Sequence, residues 1–374
     1  MKKVKVIHIL EASLGGTRKH VFDLLNGIDL SQYDLSFCYS TLRADENFFV
    51  DLKRIRKKGI ACHEIDIIRR IGIKEDIRSF LKLYNIIKRN DYDIVHCHSS
   101  KAGFLGRVAA KVANHKIKTI YTPNSLAVNV KKRYLLFEKI AGLFTDIIIA
   151  VSESERREII SSKIVAPVKV VTINSGVSIK DQEKGKLRTL LGIDKTKSII
   201  LSVGRLTRQK NPLIFVEVAN QVLAKRKDVI FVWIGDGELR GIVERRIDEC
   251  NLSEQVHLLG WRMDVDELMS DADIFLLTSI YESFGYVTCE AMACGLPVVA
   301  TNITGTNSIV VNGETGYLEN VGDYEGLSHK ITILLDAQQK RCSMGEKGRQ
   351  RIKQYFSIEG MIKQTEEVYK KLCP

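Results

Sequence analysis

Two carboxylates, Glu282 and Glu290, bracket Ser283, Phe284 and Gly285 in the stretch TSIYESFGYVTCEAMACGLPVVAT, residues 278–301. The first lies in a polar turn, the second about a turn and a half inside the helix that follows. A glycine at that junction lets backbone N–H groups approach a ligand closely, and a helix N-terminus favours negative charge. Two acceptors around such a helix end suit a diphosphate flanked by hydroxyl-rich sugars. Glu pairs at this spacing are also common as solvated helix faces, so the spacing alone leaves both readings open.

Ser202-Val-Gly-Arg-Leu-Thr-Arg-Gln-Lys-Asn211 places Arg205 and Lys210 just after an apolar strand, where doubly wound sheets bind ligands and cations would meet a diphosphate. Arg and Lys in a loop are otherwise ordinarily just solvated. Gly15-Gly16 with His20 reads as a tight strand-to-helix turn, and Gly235-Asp-Gly-Glu238 as another loop at a strand end. His96-Cys97-His98 puts two imidazoles on one side of a strand; a zinc site wants three or four ligands, and the sequence offers no third nearby. Three Asp-x-Asp pairs, at 91/93, 264/266 and 271/273, precede strands or open helices, where Asp turns or caps the backbone, and are read as structural.

The elements that must position these groups alternate. Strands are expected at Val4–Leu10, Leu35–Tyr39, Ile60–Ile65, Asp93–His98, Lys118–Thr122, Asp146–Val151 and Val168–Ile173. After a polar linker, Ser178–Lys186, come Ser198–Gly204, Val229–Ile234, Val256–Leu259, Ile274–Thr278 and Val298–Thr301. A helix opens near Thr17, another at Pro212 with Asn211 as its cap, and a last one after Ser357. Such alternation calls for parallel sheets covered on both faces, and each half starts like a Rossmann unit.

A chain of 374 residues has room for two cores. Its net charge of +12 is uneven: residues 1–180 carry 32 Lys and Arg against 18 Asp and Glu, the remainder 25 against 27. A basic half attracts nucleic acid, anionic headgroups or phosphorylated substrates. No nucleic-acid-binding module accompanies it. Lys and Arg beside Tyr, Leu and Phe at Val130–Ile140, and the cationic helix Phe49–Lys58, suit an anionic membrane surface. The eight cysteines are scattered without a CxxC pair, as reduced cytosolic thiols are. MKKVKVIHIL is too short in apolar residues for a signal peptide, and no run approaches a membrane span. The expectation is a cytoplasmic protein, at most peripheral on the inner face of the membrane.

Taken in order, Gly15-Gly16 with His20, His98, Arg205 with Lys210, and Glu282 with Glu290 in ESFG…EAMACGLPVVAT closely resemble the retaining glycosyltransferases of family 4. The resemblance implies the GT-B fold: two Rossmann-like doubly wound domains facing across a cleft, here residues 1–180 with the helix 357–374 packed back on them, and 181–356. It implies a nucleotide sugar as donor, expected to be a UDP-sugar, and no metal or other cofactor. Arg205 and Lys210 would clamp the donor diphosphate with the Gly16 amide. Glu282 with Ser283 and the Phe284 and Gly285 backbone would orient the sugar, and Glu290 would bind the ribose. Gly235, Arg262 and Met263 would lie near the nucleoside, and His98 near the transferred sugar. The acceptor implied is a lipid-linked saccharide of envelope polysaccharide assembly. The chain departs from the family's usual Gly-Gly…Glu run at Thr304–Ser308, where Ser308 takes the Glu position. A catalytically silent sugar-nucleotide-binding partner and a nucleotide-sugar epimerase remain as alternatives, separated by whether donor is consumed only with acceptor present.

Overall fold

The structure is a computed structural model and describes residues 2–124, 132–179 and 183–374. The chain divides into two compact units, Met1–Gly176 with Ile358–Pro374, and Val177–Ser357.

The first unit holds seven strands: β1 (Val4–Leu10), β2 (Tyr33–Tyr39), β3 (Ala61–Glu64), β4 (Ile94–His98), β5 (Lys118–Thr122), β6 (Ile147–Ala150) and β7 (Val170–Thr172). Their order in the sheet is β3-β2-β1-β4-β5-β6-β7, every pairing parallel. A parallel sheet needs cover on both faces, which is why its strands read as unbroken apolar runs. Val6, Leu10, Ile94 and Ile120 pack on one side with Leu24 and Leu25; Ile7, Ile9, Val95 and Cys97 pack on the other with Leu105 and Ala109. The C-terminal helix Ile358–Leu372 belongs to the first side through Met361, Val368 and Tyr369. A buried cation is satisfied locally: Arg107 bonds Glu138 at 2.8 Å, Thr145 at 3.0 Å and the Gly103 carbonyl at 2.7 Å, and lies 3.8 Å over the Tyr121 ring.

The second unit repeats the plan with β8 (Ser198–Val203), β9 (Val229–Ile234), β10 (Val256–Leu258), β11 (Ile274–Leu277), β12 (Val298–Thr301) and β13 (Gly316–Glu319), in the order β10-β9-β8-β11-β12-β13. Phe215, Phe231 and Trp233 centre its core. In both sheets the chain reverses direction beside the first strand, between β1 and β4 and between β8 and β11. Crevices outside the carboxyl ends of such strands are where doubly wound folds bind ligands.

Three local expectations change. The strand expected over Val168–Ile173 shrinks to three residues because Pro167–Lys169 forms a 3-10 turn. Asn211 precedes the helix Pro212–Leu223 but sits in a left-handed conformation (φ 52°) and makes no side-chain cap bond. Strand β13 was not expected, since four residues at a sheet edge give too short a pattern to read. The linker expected over Ser178–Lys186 falls partly outside the described residues.

Candidate active site

The reversal point of the second sheet brings together residues 72 apart in sequence. Lys210 follows β8, Glu282 follows β11, and Lys210 Nζ lies 2.5 Å from Glu282 Oε1. Ser279 Oγ donates to the same oxygen at 2.7 Å. Both side chains are largely buried, 14% and 10% exposed.

Backbone contacts tie the two loops to each other. Thr278 Oγ1 donates to the Lys210 carbonyl at 2.9 Å, the Ile280 amide to the Gln209 carbonyl at 2.8 Å, and Gln209 Nε2 to the Tyr281 carbonyl at 3.1 Å. Thr301, ending β12, donates to the Ser279 carbonyl at 2.6 Å. Trp233 Nε1 holds the Gly204 carbonyl at 2.8 Å, fixing the start of the cationic loop. Gly235 packs against that same carbonyl: a Cβ there would fall 2.0 Å from Gly204 O, at a φ of 131° that side chains rarely adopt. Arg205 is exposed, and its guanidinium makes no ion pair among the described residues.

Gly285 (φ 92°) starts the helix Tyr286–Ala293, which has no side-chain cap and no acidic residue in its first turn. No side chain thus competes with an anion at this helix N-terminus, where the N–H groups and the dipole favour negative charge. Phe284 is buried against Tyr286 and Phe356, so it can offer only backbone to a ligand. Ser283 and Glu290 are half-buried, before and within this helix. Gly305 presses on Glu282, with a Cβ position 2.6 Å from Glu282 Cβ. Ser308 turns its hydroxyl to the Gly305 carbonyl at 3.4 Å.

The nucleoside-side residues separate. Gly235 donates its amide to the Gly260 carbonyl at 2.7 Å, joining the loops after β9 and β10. Met263 is exposed, whereas the Arg262 guanidinium grips Asp264 with both arms, at 2.9 and 2.7 Å. Hydrogen bonds from Arg262 and Lys186 hold the Asp264 carboxyl well below the usual range. The other Asp-x-Asp pairs also serve the backbone: Asp93 accepts from Lys5 N at 2.8 Å, Asp271 from Leu187 N at 2.7 Å and Asp273 from Ile199 N at 2.9 Å.

In the first unit, His98 ends β4 and Glu11 follows β1, at the reversal point of that sheet. Gly15 and Gly16 open the helix Gly15–Gly27, whose cap position, Leu14, again supplies no side-chain bond. His98 is fully buried, and so is a third imidazole that the sequence did not announce. His8 Nδ1 stands 3.0 Å from His98 Nε2, so the absence of a nearby third ligand, expected from sequence, is corrected. Ring nitrogens of His8, His96 and His98 lie within 4.8 Å of one another, close enough to face a common ion, and they already bridge through hydrogen bonds. Burial lowers His8 to about 3 and His20 to about 4, and takes His96 and His98 well below the ordinary value, so these rings are neutral. His20 Nδ1 is 3.2 Å from Ser175 Oγ.

Sequence reasoning missed Glu11. Its buried carboxyl, raised by desolvation, accepts from the Ser99 hydroxyl and from Ala102 N at 3.3 Å. Ser99 is held at φ 67°, ψ 165°, a region nearly confined to glycine, and such strain gathers at functional sites. The available signal was the Glu directly before Ala-Ser-Leu-Gly-Gly. Lys101 is turned away, paired with Asp76 at 2.5 Å.

Comparison with known proteins agrees with this fold. Residues 183–351 match the family model of glycosyl transferases group 1, and residues 14–181 that of glycosyltransferase family 4. The chain is 28% identical to the UDP-Gal:alpha-D-GlcNAc-diphosphoundecaprenol alpha-1,3-galactosyltransferase of Escherichia coli, over 98% of this chain and 97% of that one. It is 29% identical to the capsular polysaccharide biosynthesis glycosyltransferase CapM of Staphylococcus aureus, over 82% and 84%. The crystal structure of Anabaena Alr3699/HepE in complex with UDP and glucose matches with a TM-score of 0.84 at 21% identity, covering 98% of this chain and all of that one. Two parallel Rossmann-like sheets, with one family model matching most of each half, make the chain a GT-B glycosyltransferase of family 4.

Proposed function

We propose that the protein transfers a hexosyl or N-acetylhexosaminyl group from a UDP-sugar to a lipid-linked saccharide in bacterial surface-polysaccharide assembly, with retention at the anomeric carbon. The observation that carries this reading is the Lys210–Glu282 pair at the reversal point of the second sheet, beside an uncapped helix N-terminus. The name of the E. coli relative, which pairs UDP-galactose with a diphosphoundecaprenol-linked sugar, supports the classes of donor and acceptor.

In this proposal the acceptor hydroxyl attacks the anomeric carbon from the face the diphosphate leaves. The new C–O bond forms as the bond to the β-phosphate oxygen breaks, and the hydroxyl proton passes to that oxygen. Arg205, Lys210 and the helix N–H groups, rather than a metal ion, take up the developing negative charge. Glu282 orients sugar hydroxyls while its ion pair keeps Lys210 in place, and Glu290 takes the ribose diol. Met263 and the backbone at Gly235 and Arg262 serve the nucleoside, since the Arg262 side chain is committed to Asp264. Within the first unit, the Gly16 amide and His98 are the groups proposed to meet substrate.

The proposed membrane partner gains a surface that the sequence reading passed over. On the helix Ile73–Asn90, Ile73, Ile77 and Leu81 form an exposed apolar stripe, 77%, 56% and 52% accessible, flanked by exposed Lys74, Arg78 and Lys82. An apolar stripe edged with cations suits anionic headgroups. Phe49 and Val50 are exposed on the helix Glu46–Lys57, while Val130 and Lys131 of the other expected segment lie outside the described residues. No helix among the described residues is long and apolar enough to cross a membrane.

A thermal-shift screen of UDP-, GDP- and ADP-sugars tests the donor, because a ligand of the native state raises its melting temperature. A UDP-sugar should stabilise most and be consumed only with a lipid-linked acceptor, giving a product whose anomeric proton reports retention. Donor consumed without acceptor, or an inverted product, contradicts the proposal.

A further inference from the structure

His98 is the end of a hydrogen-bonded chain that runs through the core of the first unit to the C-terminal helix. His8 and His96 are register partners on β1 and β4, and His98 lies two residues beyond His96 on the same face. His98 Nε2 faces His8 Nδ1 at 3.0 Å, and His8 Nε2 faces the Tyr369 hydroxyl at 3.3 Å. That hydroxyl faces His96 Nδ1 at 2.7 Å, and His96 Nε2 faces Thr122 Oγ1 at 2.8 Å. All five side chains are fully buried. One nitrogen has no partner: His98 Nδ1.

Each neutral imidazole has one donor and one acceptor, and the phenol has one proton. Desolvation keeps all three imidazoles neutral and the phenol protonated. Every link can then be satisfied, with the phenol proton used as well, only if the donors all point the same way. If Thr122 donates to His96, the chain ends in a buried His98 Nδ1–H with nothing to receive it. If the direction is reversed, His98 Nε2–H donates to His8, His8 Nε2–H to Tyr369, Tyr369 to His96 and His96 Nε2–H to Thr122. The chain then ends in a bare lone pair on His98 Nδ1. Buried orphan N–H groups are the rarer defect, so the second direction is favoured.

We propose that Tyr369 is a positioning residue that locks His98 in the Nε2–H tautomer, so that the unpartnered His98 Nδ1 keeps a lone pair, and not an N–H, for a substrate hydroxyl. This rests on the assignment of His98 to the reaction made above. It gives the C-terminal helix a part in the chemistry of the first unit.

Two-bond 1H–15N correlation spectra of protein labelled with 15N-histidine read the tautomer of each ring directly. The wild-type protein should show the Nε2–H form at His8, His96 and His98. A wild-type His98 in the Nδ1–H form, or exchanging between forms, overturns the proposal without any variant being made. Tyr369→Phe keeps the ring and removes the hydroxyl. It should leave His8 and His98 with mixed tautomers and lower kcat about 10- to 100-fold, as lost outer-shell partners do, with the KM for UDP-sugar little changed. Unchanged tautomers in that variant overturn the locking role of Tyr369. Mixed tautomers with unchanged kcat overturn instead the assignment of His98 to the reaction, and the functional half of the proposal with it.

Discussion

Replacing Lys210 with methionine separates structural from catalytic roles at the second unit's site. The lysine and Glu282 are 2.5 Å apart and only 14% and 10% exposed. Removing the cation leaves the Glu282 carboxylate with the Ser279 hydroxyl as its remaining partner. Breaking a fully buried ion pair costs about 3–5 kcal/mol, and a hydrogen bond to a charged group is worth about 1.5–3 kcal/mol. The partial exposure and the surviving Ser279 bond place Lys210→Met near the lower range, about 2 kcal/mol. That corresponds to about 4–8 °C in the melting of a unit of this size. The catalytic loss should be larger in kind. A group that stabilises charge only as the diphosphate departs is worth about 10²–10³-fold in kcat. Glu282→Gln and the double variant complete a cycle, and the stability coupling between the two positions should be about 1–2 kcal/mol. The assay is urea unfolding alongside steady-state turnover of the UDP-sugar. Stability lost with kcat held within about threefold of wild type would mean that the pair only braces two loops, and the leaving-group role of Lys210 would be refuted.

Acid should unfold the first unit early. His8 and His20, at about 3 and 4 in the fold against 6.5 when unfolded, bind protons only in the unfolded chain between those values, so stability falls as pH falls below about 6.5. At pH 5 each costs about 2 kcal/mol, about 4 kcal/mol together. His96 and His98 add in the same direction, while the raised Glu11 carboxyl opposes them. A urea midpoint unchanged between pH 7.5 and 5 would contradict this. Gly235→Ala should cost at least about 1–3 kcal/mol in backbone strain, and more from the contact with Gly204 O; undiminished UDP affinity in that variant would show that the loop does not serve the donor.

The strand alternation, the two Rossmann-like beginnings and the cation and carboxylate motifs were legible in the sequence because each is a local pattern. Ile7 and Ile9 alternate with His8, and Gly-Arg…Lys-Asn-Pro follows a strand, within windows a reader can scan. The partnerships were not legible. Lys210 meets Glu282 across 72 residues, and His96 meets Tyr369 across 273, which only the sheet order and the returning C-terminal helix bring about. His8 looked like one polar residue in an apolar strand until its register with His96 placed it on the same face. The outward stripe on Ile73–Asn90 was hidden for a different reason. Apolar residues at helical spacing ordinarily mark the core face, and this helix has two such faces, with Leu83 and Ile87 turned inward.

Calorimetric titration of UDP into the wild-type protein and into Arg205→Ala and Lys210→Ala tests most directly whether this loop grips a departing nucleotide. The account requires saturable binding by the wild type and an affinity about 10- to 100-fold weaker in each variant, one charge-assisted contact apiece. No heat of binding in the wild type, or equal affinity in all three proteins, would contradict it.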